Sequence, residues 1–121
     1  AITGAQTNIQ TAGLSHRIHL KQLDARDLET RYPAGYFNAI VANPPYGVHL
    51  GSKINFYRLY LKFLRGAGHI LVSGGRLVIL VGKGRGAFKK IIAKLGLFQI
   101  QEERLVETGD IYPHLFICDR V

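Results

Sequence analysis

A chain of 121 residues is long enough for one domain with a packed core and too short for two, and nearly half of its residues are hydrophobic (47%). No apolar run approaches the roughly 20 residues that a membrane span needs and no signal-peptide pattern opens the chain, which predicts a soluble, cytoplasmic protein. Sixteen Lys and Arg against eight Asp and Glu leave a formal charge of +8, which favours a polyanionic partner such as nucleic acid; a basic surface that only confers solubility is the competing reading.

The single cysteine, Cys118, excludes an internal disulfide and offers no metal cluster, so no metal site is expected. Within Leu115-Phe116-Ile117-Cys118 it reads as a small buried residue and not a nucleophile. The chain contains no methionine and opens with Ala1 inside a helical pattern, as a segment of a longer protein would.

From Ala1 to Ala12, Ile2, Ala5, Ile9 and Ala12 recur at spacings of three and four, a helical stripe that Gly13 stops. His16 to Leu23 alternates, with Ile18 and Leu20 on one side and His19 and Lys21 on the other, and predicts a strand. Asp24-Ala25-Arg26-Asp27 follows. Aspartate is a strong N-cap residue, so both acids are candidates to cap a short helix through Leu28 and Glu29, Asp27 before Asp24. The turn-rich Arg31 to Gly35 then leads into Ala39-Ile40-Val41-Ala42, a short continuous apolar run of the kind found in strands buried on both faces.

That strand ends at Asn43-Pro44-Pro45-Tyr46, followed by Gly47. Two prolines forbid its continuation, and their fixed φ angles hold Asn43 and Tyr46 in a rigid frame. Asn43 therefore stands at the C-terminal edge of a strand, where open α/β sheets bind ligands. An amide that both donates and accepts, beside a flat ring, suits a planar base with an exocyclic amino group. The same residue types also make ordinary turns.

Gly47 to Lys53 reads as a polar loop beside this site, with His49 and Lys53 placed to meet a phosphate or to be solvated. Ile54, Tyr57, Tyr60, Leu61 and Leu64 fall at helical intervals and predict an amphipathic helix from Asn55 to about Leu71, with Gly66 and Gly68 weakening its continuity. Gly74-Gly75 reads as a turn into a central parallel strand over Arg76 to Val81. Gly82-Lys83-Gly84-Arg85-Gly86 lacks the Gly-Lys-Ser/Thr ending of a nucleoside triphosphate loop. It reads as a strand-to-helix connection whose Lys83 and Arg85 are candidates for nucleic-acid phosphates. A helix over Phe88 to Leu95 ends at Gly96, and strands over Leu97 to Val106 and Tyr112 to Val121 form an antiparallel pair.

Asn43-Pro44-Pro45-Tyr46 resembles the signature of S-adenosylmethionine-dependent amino-methyltransferases. Asp24-Ala25-Arg26-Asp27-Leu28 together with Asn43 to Gly47 is similar to RNA guanine-N2 methyltransferases that carry a THUMP domain, although Asn38 stands where that family usually has Asp. The resemblance implies an α/β, Rossmann-like methyltransferase fold with a mostly parallel sheet and a C-terminal antiparallel hairpin. It also implies that residues 1–121 are a partial catalytic domain lacking the fold's N-terminal strands and glycine-rich cofactor loop. A preceding segment or a partner chain would have to cover the sheet edges thus exposed, and the 121 residues alone are expected to be inactive.

By the same resemblance the cofactor is S-adenosyl-L-methionine, bound through Asp24, Ala25 and Asn43, and Asn43, Pro44, Pro45 and Tyr46 are catalytic. The implied reaction is methyl transfer to the exocyclic amine of a nucleobase, guanine N2 in tRNA or rRNA, with Lys53, Lys83 and Arg85 meeting the RNA. Adenine N6 in DNA or RNA, a glutamine side chain that the +8 charge disfavours, and a non-catalytic RNA-binding fragment are the alternatives.

Overall fold

The computed structural model describes residues 2–44, 55–107, 109 and 112–121. In chain order these form α1 (Ile2–Thr11), a 3-10 turn (Ala25–Asp27), α2 (Leu28–Arg31), β1 (Phe37–Ala42), α3 (Phe56–Ile70), β2 (Leu71–Val81), α4 (Arg85–Leu95), β3 (Phe98–Leu105) and β4 (His114–Arg120). The four strands make one sheet in the order β1-β2-β4-β3. β1 runs parallel to β2, whereas β4 is antiparallel to both β2 and β3. The sheet is therefore mixed: the parallel arrangement holds for β1 and β2, and the antiparallel C-terminal pair is inserted as expected, with β4 against the central strand.

α3 begins where Asn55 places its side-chain oxygen on the Arg58 amide at 3.0 Å, a cap that satisfies one of the free N–H groups of the first turn. It runs unbroken through Gly66 and Gly68, because both glycines lie against neighbours that leave no room for a side chain. A Cβ at 66 would stand 2.9 Å from the Leu28 Cβ, and one at 68 would stand 2.7 Å from the Leu97 Cδ1. Tyr60, Phe63, Leu64 and Ala67 thereby reach the sheet and meet Leu77, Ile79 and Val81 of β2, Phe88 and Ile91 of α4, and Phe116 and Cys118 of β4 in one apolar core. Leu77, Ile79 and Val81 alternate with more exposed residues, as one covered sheet face requires.

Several sequence expectations change in the structure. His16 to Leu23 forms no strand; it is a turn followed by an irregular stretch, because no neighbouring strand among the described residues supplies a ladder. β1 is not buried on both faces. Phe37, Ile40 and Ala42 are half-buried while Val41 is 82% exposed, since helices cover one face only and β1 is an edge of the sheet. Gly74-Gly75 lies inside β2 as an irregularity, where Phe37 pairs with Leu71 but Ala39 with Arg76. α4 starts at Arg85, three residues earlier than its apolar stripe suggests.

The helical stops are as expected: Gly13 and Gly96 both adopt the left-handed conformation after their helices. Cys118 is fully buried, and burial, with the charge of Asp119 adding to it, pushes its thiol up to about 11, which keeps it protonated and inert.

Candidate functional site

β1 delivers Asn43 and Pro44 to the carboxyl end of the sheet, next to the end of β2. Asn43 is exposed and Pro44 half-buried. Both line a cleft of about 210 Å³ whose remaining walls are Ala25, Ala42, Leu59, Tyr60 and Phe63. The amide thus points neither into packed interior nor only into bulk water; it edges an apolar recess that Ala25 closes from the side of Asp24. Pro45, Tyr46, His49 and Lys53 lie outside the described residues.

Asp24 is the N-cap of the 3-10 turn, and its Oδ1 accepts from the Arg26 amide at 2.9 Å. The same carboxylate receives the Arg26 guanidinium, from Nε at 2.9 Å on Oδ1 and from Nη2 at 2.6 Å on Oδ2. These hydrogen bonds hold the Asp24 carboxyl far below the usual carboxylate range, with smaller contributions from the Arg26 and Lys62 charges. Capping therefore falls on Asp24; Asp27 makes no side-chain cap bond, because the 3-10 turn ends at Asp27 itself. Arg26, which sequence reasoning passed over, is the partner that orients Asp24. The Asp-x-Arg spacing was the available signal.

The opposite wall belongs to α3, which the loop before α4 backs. Tyr60 is 1% exposed, sits edge-on to Phe88, and donates its hydroxyl to the Lys83 carbonyl at 3.3 Å. Tyr60 and Phe63 are thus wall residues as well as core, with Leu59 half-buried beside them, a role that helical periodicity alone does not distinguish. Gly84, the N-cap of α4 at φ +80°, packs directly against Phe56.

Lys83 and Arg85 line a broad, shallow depression with Gly82, Gly84, Gly86 and Lys89. Arg85 is partly engaged, donating from Nη1 to the Tyr112 carbonyl at 3.3 Å, and Lys89 pairs with Glu103 at 2.8 Å. Lys83 is exposed. Among the described residues no cluster of His, Cys, Asp or Glu could hold a metal ion, and no helix is long and apolar enough to cross a membrane.

The model of the RMKL-like, methyltransferase domain family matches residues 1–112. A tRNA (guanine(6)-N2)-methyltransferase from Thermus thermophilus is 38% identical over 110 residues, covering 91% of this chain and 31% of the relative. One of the same description from Methanocaldococcus jannaschii is 32% identical over 115 residues, covering 95% and 29%. The crystal structure of TrmN from Thermus thermophilus superposes with a TM-score of 0.79 at 32% identity, over 97% of this chain and 32% of that one. The chain therefore spans about a third of the length of the relatives it matches. With the family model covering nearly its whole length and the sheet, helices and cleft arranged as described, the chain belongs to the RMKL-like methyltransferase domain family.

Proposed function

We propose that the chain is the part of an S-adenosyl-L-methionine-dependent RNA methyltransferase that holds the acceptor amine and one end of the cofactor, with guanine N2 of tRNA as the acceptor. The observation that carries this reading is the apolar cleft shared by Ala25, Asn43 and Pro44. The relatives described as tRNA (guanine(6)-N2)-methyltransferases support the choice of base and RNA.

The residues present fit the cofactor's adenine. Its flat, largely apolar ring suits a recess walled by Ala25, Pro44, Leu59 and Phe63, and the Asp24 carboxylate, one residue from that wall and already bonded to Arg26, keeps acceptor lone pairs for its amino group. When bound, S-adenosylmethionine supplies an electrophilic methyl on a sulfonium. The acceptor amine is a weak nucleophile because its lone pair is delocalised into the ring. Asn43 through its side-chain oxygen, and Pro44 through its carbonyl, accept hydrogen bonds from that amine and favour the tetrahedral nitrogen. The proline frame fixes their positions, and Tyr46 stacks on the base, a contact of about 1–3 kcal/mol. Lys53, Lys83 and Arg85 meet the phosphates around it.

Substituting Asn43→Ala in the complete protein tests the assignment. Methyl transfer to an unmodified tRNA transcript is expected to be abolished while cofactor affinity, read by calorimetry, stays nearly unchanged. A variant that still transfers methyl removes Asn43 from the catalytic role.

A further inference from the structure

α3 and α4 lie side by side on the sheet and together carry seven Lys and Arg and no Asp or Glu. On α3 the exposed positions Arg58, Lys62, Arg65 and His69 follow one another at intervals of four, three and four, so they form one ridge on the face turned from the sheet. At 1.5 Å per residue the ridge is about 17 Å long. α4 turns Lys90 and Lys94 outward beside it, and Lys94 Nζ reaches the hydroxyl of Tyr57, itself 41% exposed, at 3.5 Å.

Among the described residues no salt bridge engages Arg58, Lys62, Arg65, Lys90 or Lys94. Asp24 lies close enough to Lys62 for that charge to lower its pKa, and Glu29 borders a hollow with Arg65; these acids sit on one flank and leave the ridge basic. The same helix lines the cleft with Leu59, Tyr60 and Phe63, roughly a third of a turn away. The ridge and the cleft that Asn43 lines thus share one helix.

We propose that the ridge Arg58-Lys62-Arg65, extended by Lys90 and Lys94 across Tyr57, is a second RNA-backbone surface, separate from Lys83 and Arg85. It takes the phosphates of the strand that leads away from the acceptor base. An unbroken basic ridge with an exposed aromatic ring among its cations matches a polyanionic strand by charge, and such contacts release counterions on binding. The proposal rests on the reading that RNA is the substrate.

The test is direct binding of an unmodified tRNA transcript by the complete protein at a series of salt concentrations, without methyl transfer. The triple variant R58Q/K62Q/R65Q is compared with R17Q/K21Q/R31Q, which loses the same charge from exposed positions elsewhere. Glutamine keeps helix propensity close to that of the residues it replaces, and circular dichroism confirms folding. Each lost phosphate contact lowers the salt slope by about 1, so the ridge variant is expected to lose about 2–3 from the slope and at least about tenfold in affinity at low salt, with the control near the unaltered protein.

Equal slopes for the two variants overturn the surface and leave an acidic protein as its occupant. Absence of tRNA binding by the unaltered protein overturns the RNA reading itself.

Discussion

Gly84 and Phe56 stand so close that a Cβ built on Gly84 would lie 2.8 Å from the Phe56 Cβ, at a backbone φ of +80°. This packs the loop after β2 onto the first turn of α3, while Tyr60 from the next turn donates to the Lys83 carbonyl. Replacing Gly84 by alanine adds a left-handed penalty of roughly 1–2 kcal/mol to a contact that backbone must relieve. Chemical denaturation is expected to show a loss of about 2 kcal/mol or more. A smaller loss would mean that the loop is free to back away from α3.

Gly66→Ala in α3 runs against the usual trend. Alanine gains about 1 kcal/mol over glycine inside an unhindered helix, but here the new methyl meets the Leu28 Cβ at 2.9 Å, and that atom is fixed to the backbone of α2. The variant is expected to melt below the parent. A higher melting temperature would show that α2 and the Asp24 turn before it shift at little cost.

Leu64 is fully buried between α3 and the sheet. Leu64→Ala is expected to cost about 2–5 kcal/mol, the range for core leucines that leave a cavity, as read from denaturant midpoints at unchanged slope.

The Asp24 carboxyl titrates below the ordinary range because Arg26 bonds its ionised form. A depressed folded pKa contributes stability that is fully present above the unfolded value, about 3.9, and is lost as pH falls through the folded value. Carboxyl carbon NMR is expected to show Asp24 still ionised after the other carboxyls have protonated, and Arg26→Gln is expected to raise it toward their range, with the residue 26 amide bond keeping part of the depression. Ordinary titration in the parent would remove the ion pair seen at 2.6 Å.

Cys118, buried on β4 between Leu77 and Ile100, carries a thiol raised to about 11. At pH 8 it is expected to resist alkylation in the folded chain and to react at once in denaturant. Rapid labelling of folded protein would mean that β4 opens readily from β2.

The helices and the two C-terminal strands were legible because their evidence is local: Asn55 and Gly96 mark ends, and Leu77, Ile79 and Val81 keep a period of two. Asn43 and Ala25 were legible as candidates through spacing and motif, and the cleft brings them together. What sequence alone misplaced depends on neighbours. Ile18 and Leu20 alternate as a strand does, yet a strand exists only where another chain segment bonds it. Val41 has strand character, yet its burial depends on a layer that these residues do not supply. Arg26 as the holder of Asp24, and Tyr60 as a wall of the cleft, needed the third dimension.

Because β1 is bonded to β2 alone among the described residues, the amide at its tip takes its coordinates from a single seam. Any wobble in that seam reaches the rim of the cleft undamped. A strand zipped along the border past Val41 would steady the Asn43 amide from the other side, and the cleft rim with it.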